Sequence, residues 1–354
     1  VVVIGAGAVG AACASALARR GCPVRVFGDP ARSTTAVSGG HLLLQSKRPG
    51  PSLDLARRSL ELLALFAAGR EEELLYRQRG SLVLARSEEE AQALRAHWER
   101  LREAGVPVEW LDGDASRELE PALSPSVLAA SFCPLDAQVH PALLAAAWLQ
   151  DAVEHRAVVA SGARVESFVQ SRGTVCGVVA GGVEYPASAV VIAAGPWSGE
   201  VAALAGVRLE IRPRRGILLR GHSGRPLASR PLLGAAYLAA KFGEEACGIG
   251  FSFQQGADGE CVLGGSREFT GFSTEGIEPV AEQIRAAGAA SLPALREVEW
   301  TRRDVGFRPW TPSGAPSVGP SGVPGLYLAC GHEGDGITLA AATAERIAAL
   351  IAGG

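Results

Sequence analysis

Short β-branched runs and alanine-rich amphipathic stretches alternate along the first part of the chain. Residues 1–4, Val-Val-Val-Ile, read as a buried strand that runs straight into a glycine-rich turn at 5–10 and a helix as far as Arg20, with Gly21 placed to end it. Residues 24–27 form the next strand, so a βαβ unit is under way. Helical spacing with charge on the opposite face marks 53–66. From about Tyr76 the texture changes: 80–85 reads as a strand, 88–104 as a charged amphipathic helix and 108–111 as a short strand. A helix over 142–154 precedes strands at 163–168 and 177–179. The hydrophobic strand 189–193 then runs into Ala194-Gly195 and a further helix. Strands are expected at 216–220, 235–241, 248–253 and 261–266, with turns at 256–259 and 271–276 and no helical crossovers, which means an antiparallel sheet. A helix near 280–288 covers it. A strand at 326–330, a loop at 331–336 and a helix from Ile337 close the sequence.

These elements predict an α/β fold. A discontinuous, Rossmann-type nucleotide-binding domain takes 1–75, 136–206 and 303–354, and a second domain, a mostly antiparallel sheet covered by helices, takes 76–135 and 207–302.

The loop at 5–10 has the spacing of a dinucleotide site. Gly5 permits the tight turn, Gly7 lets backbone approach a pyrophosphate, and Gly10 lets the helix pack closely on the strand; Ala8 and Val9 open that helix with its N–H groups facing the anion. The acid expected to hold the adenosine ribose is replaced by Gly28, so Asp29 takes the role from the next position; no basic residue that would favour a ribose phosphate occurs before Arg32. Between 33 and 41 a small, hydroxylated run that includes Thr35, Ser38, Gly39 and Gly40 suits backbone lying against a flat ligand. Asp112, Asp114, Glu118 and Glu120 read as a solvated face with helix-cap chemistry.

Charge and cysteine usage narrow the picture. The formal net charge of the 354-residue chain is −3, with no long basic run, which argues against nucleic acid or an acidic membrane as the main partner. Seven cysteines (13, 22, 133, 176, 247, 261 and 330) are scattered without a CxxC pair and read as small hydrophobes, so no metal is expected. No uninterrupted apolar stretch is long enough to span a bilayer, and the chain starts on a strand, so a cytoplasmic location is expected.

One set of segments carries a family resemblance. Gly5 to Gly10, Gly80-Ser81-Leu82, Ala193-Ala194-Gly195-Pro196-Trp197-Ser198, Gly306-Phe307-Arg308-Pro309 with Thr311-Pro312-Ser313-Gly314, and Gly331-His332-Glu333-Gly334-Asp335-Gly336-Ile337-Thr338 occur in the order found in the FAD-dependent D-amino-acid oxidase family. Within it the chain resembles the glycine oxidase, sarcosine oxidase and hydrogen cyanide synthase branch; Gly264-Gly265-Ser266-Arg267-Glu268-Phe269 is closest to the opine oxidase and D-hydroxyproline dehydrogenase type.

The resemblance implies FAD between the two domains and an oxidised Cα–N bond, with hydride passing to flavin N5 and the imine then hydrolysed. It adds Val165, Ala194, Gly195 and Trp197 to the cofactor contacts. It also implies that 332–338 (His332, Glu333, Gly334, Asp335, Gly336, Ile337 and Thr338) brings backbone N–H groups and a helix N-terminus to the flavin N1/O2 edge. His332 is open to two readings, a positive neighbour of that edge or a turn histidine bonded to backbone. Arg308 matches the arginine that grips the substrate carboxylate and also contacts the cofactor, and Tyr237 matches the tyrosine that adds a phenol; a structural salt bridge and an ordinary sheet tyrosine are the alternatives. Trp310 stands where some relatives carry the cysteine that binds flavin covalently, so noncovalent FAD is expected. Three readings follow: an oxidase of a glycine-type or N-substituted amino acid that makes hydrogen peroxide from O2, the catalytic subunit of a heteromeric dehydrogenase that passes electrons to a partner, or a nicotinamide-binding protein without flavin. Homo- and hetero-oligomers both fit.

Overall fold

The computed structural model describes residues 1–242 and 248–353. Its first layer system is a six-stranded sheet in the order Ser317–Pro320, Leu326–Cys330, Val190–Ile192, Val2–Ile4, Arg25–Phe27, Val158–Ala160. All neighbours are parallel except the first pair. Alternation along Val2–Ile4 explains its unbroken apolar run. Val3 joins the core under helices Ala8–Arg19, Pro51–Ala67, Pro141–Glu154 and Gly336–Ala352, while Val2 and Ile4 face the opposite core. That second core lies beneath a small antiparallel sheet of Val165–Ser171, Thr174–Ala180 and Val183–Pro186. Residues 190–192 pair in register with 2–4, so the chain does return to its first sheet after residue 189.

The second sheet has eight strands: Glu299–Trp310, Arg212–His222, Glu260–Arg267, Gly248–Gln255, Leu232–Gly234, Ser81–Ala85, Ala129–Cys133, Glu109–Asp112. Every pairing is antiparallel but one, Leu232–Gly234 with Ser81–Ala85. Helix Ile277–Ser291 lies over it, with Ala281 and Ile284 packed into the same apolar cluster as Leu219, Phe253 and Leu263.

Three expectations need correction. Residues 235–241 are helical, within Ala235–Phe242, because an alanine-rich segment loses little entropy in a helix and the strand before it stops at Gly234. The proposed boundary at 303 cuts strand Glu299–Trp310, which pairs along its whole length with Arg212–His222 and belongs to the larger sheet. Asp112 and Asp114 do serve the start of a short helix, but Glu120 is buried, accepting from the Ser229 N–H and pairing with Arg230 at 2.8 Å.

Candidate active site

A cleft of about 620 Å³ runs between the two sheet systems. At one end the glycine loop forms its floor. Gly5 has φ +121°, and a Cβ there would stand 2.2 Å from the Ala193 carbonyl oxygen, so strand and helix meet only through a bare backbone. Gly10 does not face the cleft; a Cβ on it would strike the Gly5 carbonyl at 2.0 Å, and its part is the close packing of helix on strand. Gly5, Gly7, Ala8 and Val9 line the cleft, with the start of helix Ala8–Arg19 directed along it. The hydroxyl of Thr35 accepts from the Ala8 N–H at 2.9 Å, joining the small-residue run to the helix start.

Asp29, Thr35, Ser38, Gly39, Val165, Ala194, Gly195 and Trp197 line the same cleft, and Asp29 is exposed, its carboxylate accepting from the Ala31 N–H. Gly40 does not join them. It is buried against Val139, where a Cβ would stand 1.6 Å from the carbonyl oxygen, and its N–H donates to Gln254, so it is a packing glycine. His41, next in sequence, is in the cleft wall, with Nε2 buried and without a hydrogen-bond partner among the described residues. Burial pulls this imidazole down to about 4, so it stays neutral.

Another part of the cleft wall is strongly charged. Glu333, Gly334, Asp335, Gly336, Ile337 and Thr338 line it, with helix Gly336–Ala352 starting there. His332 lies on the wall too, but burial pulls it down to about 4 and its Nε2 pairs with the Thr343 hydroxyl at 2.9 Å. The expected positive neighbour is therefore a neutral ring, and its partner is a side chain rather than backbone.

Arg308 extends from strand Glu299–Trp310 across position 216 of the adjacent strand. Any Cβ at Gly216 would stand 2.4 Å from Nη1, so the glycine makes room for the guanidinium. Nη1 donates to the carbonyls of Ser266 at 2.9 Å and Arg215 at 3.3 Å, which fixes the fork while no described carboxylate pairs with it. The salt-bridge alternative thus lacks its anion. Tyr237 lines the cleft from the helix, with the Arg267 guanidinium carbon 4.1 Å from its ring centre. Burial works to raise the Tyr237 phenol, and the charges of Arg267 and Arg308 outweigh it, so the phenol lies below its ordinary range.

Four basic groups, Lys47, Arg214, Lys241 and Arg267, were given no role by the sequence reading. Arg267 is buried and lines the cleft; it shares Glu333 with Arg214, each at 3.7 Å. Glu333 itself sits at φ +48°, a conformation that L side chains rarely adopt. One turn after Tyr237, Lys241 reaches Asp335 at 2.9 Å, and buried Lys47 reaches the same carboxylate at 2.9 Å. Burial lowers Lys47 to about 8. Spacing i, i+4 would have exposed the Tyr237–Lys241 pair had 235–241 been read as helix.

A cleft of this volume, lined by the glycine loop and by a buried imidazole nitrogen without a partner among the described residues, fits a dinucleotide bearing a flat polar ring system. Comparison with known proteins agrees. The family model described as DAO, FAD dependent oxidoreductase, matches residues 1–350. The chain is 30% identical to glycine oxidase of Geobacillus kaustophilus over 99% of its length and 92% of that protein's. It is 26% identical to hydrogen cyanide synthase subunit HcnC of Pseudomonas aeruginosa, covering 97% of this chain and 90% of that one. Its fold superposes on the crystal structure of glycine oxidase from Bacillus cereus with a TM-score of 0.86, at 26% identity over 99% and 94% of the two chains. With the match spanning both sheets and the cleft between them, the chain belongs to the DAO family and is an FAD dependent oxidoreductase.

Proposed function

We propose that this enzyme oxidises the Cα–N bond of a glycine-type or N-substituted amino acid, and that the imine is hydrolysed by water while O2 is reduced to hydrogen peroxide. The observation that carries this reading is Arg308, held by two backbone carbonyls, unpaired with any described carboxylate and facing the cleft beside Tyr237. Bound FAD would supply the two-electron acceptor, held by the glycine loop, Asp29, Thr35, Ser38, Gly39, Val165, Ala194, Gly195, Trp197 and the 332–338 segment. The protein's own part is positioning and charge. Arg308 presents a planar fork that can engage both oxygens of a carboxylate. Arg308, which has no carboxylate partner among the described residues, places a positive charge beside the amine, which favours the unprotonated form that oxidation requires. The start of helix Gly336–Ala352 adds oriented N–H groups beside any negative charge that develops there. The similarity to two glycine oxidases supports the substrate class. A screen of small amino acids and N-substituted glycines for anaerobic bleaching of the flavin tests it; bleaching by some of them is expected, and a flavin that stays yellow with all of them removes the reading.

A second reading is kept because a subunit of hydrogen cyanide synthase is similar over nearly the whole chain. In it the electrons pass to a partner chain. Peroxide formed in step with substrate by the purified chain favours the oxidase; rapid bleaching with negligible peroxide favours the subunit. The nicotinamide reading is set aside by the family match.

A further inference from the structure

The small-residue run over 33–40 precedes the second domain in sequence, yet its hydrogen bonds reach across to that domain's sheet. Thr34 Oγ1 donates to the Phe307 carbonyl at 2.9 Å, the Ser38 carbonyl accepts from Arg220 Nη2 at 2.8 Å, and the Gly40 N–H donates to Gln254 Oε1 at 2.9 Å. Phe307, Arg220 and Gln254 stand on strands Glu299–Trp310, Arg212–His222 and Gly248–Gln255 of the eight-stranded sheet. Thr34, Ser38 and Gly39 line the cleft, so this part of its wall hangs from the opposite side.

Arg220 is the most heavily bound of these anchors. It is buried, with Nε donating to Asp304, Nη1 to Glu260 at 2.7 Å and Nη2 to Ser38. Asp304 accepts in turn from Arg302 at 3.0 Å. A buried ion cluster is a poor source of net stability, because taking the charges out of water offsets their attraction. A planar guanidinium bonded in three directions does fix what it holds, and here one direction goes to the backbone of a cleft-lining loop.

Sheet register ties the same cluster to the substrate side of the cleft. Strands Arg212–His222 and Glu299–Trp310 pair Arg220 with Arg302, Leu218 with Asp304 and Gly216 with Gly306, which puts these side chains and Arg308 on one face. Leu218, Gly216, Gly306 and Arg308 on that face line the cleft. Arg308 crosses over position 216, roughly 13 Å along the strand from position 220. One pair of strands therefore carries the carboxylate clamp at one point and grips the Ser38 backbone at another.

We propose that Arg220 is a positioning residue for the reaction: by anchoring the Ser38 carbonyl to the strands that carry Arg308, it fixes the separation between the bound flavin and the substrate carbon that gives up hydride. This rests on the amine-oxidising reading above and on the 33–40 loop as a cofactor contact. Hydride transfer depends steeply on that separation, whereas the grip of Arg308 on a carboxylate does not.

The test compares the flavin-loaded enzyme with Arg220→Met, Arg220→Lys and, as a control, Arg225→Met, which loses an exposed pair with Glu297. Anaerobic mixing with the amino acid that reduces the unsubstituted enzyme best gives a limiting rate of bleaching and a half-saturating concentration. Visible circular dichroism of the bound flavin and urea midpoints are read on the same samples. Arg220→Met is expected to slow the limiting rate roughly 10- to 100-fold, leave the half-saturating concentration within about threefold and alter the flavin circular dichroism. Arg220→Lys should fall between, since an ammonium still donates to the Ser38 carbonyl but lacks the fork that also spans two carboxylates, and it carries the test if the Met variant does not fold. Arg225→Met should match the unsubstituted enzyme. An unchanged limiting rate in the Arg220 variants overturns the proposal, as does a rise in the half-saturating concentration alone, or a loss of bleaching amplitude that tracks the urea midpoint while the rate stays normal. If no amino acid bleaches the unsubstituted enzyme, amine oxidation falls, and the anchoring role of Arg220 then stands or falls on the circular dichroism.

Discussion

Arg308 draws its value from its fixed position. Two carbonyls hold the guanidinium over Gly216, so little side-chain freedom is lost when a carboxylate arrives. Arg308→Ala is therefore expected to raise the concentration of substrate needed for half-maximal anaerobic bleaching by roughly 100- to 1,000-fold, a loss of about 3–4 kcal/mol. Unchanged bleaching kinetics would remove the clamp. A second expectation concerns the cofactor's attachment. Cys330 lines the cleft, but burial pushes its thiol up to about 12, so no thiolate is present to attack the ring. Acid precipitation should release all the yellow colour into the supernatant, and colour left in the pellet would contradict noncovalent binding. Arg308 was singled out through the 306–309 segment and Tyr237 through the family resemblance alone, on a stretch read as strand; both side chains line the cleft. Arg267 stood within the 264–269 segment, yet its pairing with Glu333 in the cleft wall joins positions far apart in the chain, which spacing does not reveal.

Among elements, the opening strand, turn and helix were legible because each glycine there answers a local demand. Gly5→Ala places a methyl 2.2 Å from the Ala193 carbonyl oxygen at φ +121°. It should destabilise the protein by about 2 kcal/mol or more and lower the flavin retained on purification. Gly21→Ala is the control: φ is +78° but nothing lies within 4 Å, so about 1 kcal/mol and no loss of flavin is expected. Urea midpoints and the ratio of flavin to protein absorbance report both effects; equal flavin loss in the two variants would deny the loop its special place. The helix Ala235–Phe242 was the element least legible in sequence. Its apolar residues directly follow a strand, and what separates helix from sheet is alanine content together with Tyr237 and Lys241 one turn apart, both facing the cleft.

At the level of the whole molecule, the two sheet systems and their order along the chain were legible from periodicity, because parallel and antiparallel strands differ in their apolar patterning. The domain edge near 303 was not, since a strand of the larger sheet, Glu299–Trp310, carries Arg308 into the cleft without a break in composition. The buried histidines give this architecture a pH signature. His41 and His332 are held at about 4 by burial against an ordinary 6.5, so the unfolded chain takes up protons first as pH falls. Stability is fully present above 6.5 and is lost as pH falls from there toward 4, by at most about 3 kcal/mol for each ring. Urea midpoints at about pH 7.5 and about pH 5 measure it, and His332→Gln should roughly halve the difference, His41 remaining; an equal drop in the variant would contradict the assignment.

Anaerobic mixing of the flavin-loaded enzyme with the small or N-substituted amino acid that reduces it best, and separately with that compound's amide, is the most direct measurement. The acid should bleach the flavin in a single turnover while the amide leaves it yellow at the same concentration. Equal bleaching by both would show that no carboxylate is gripped at Arg308.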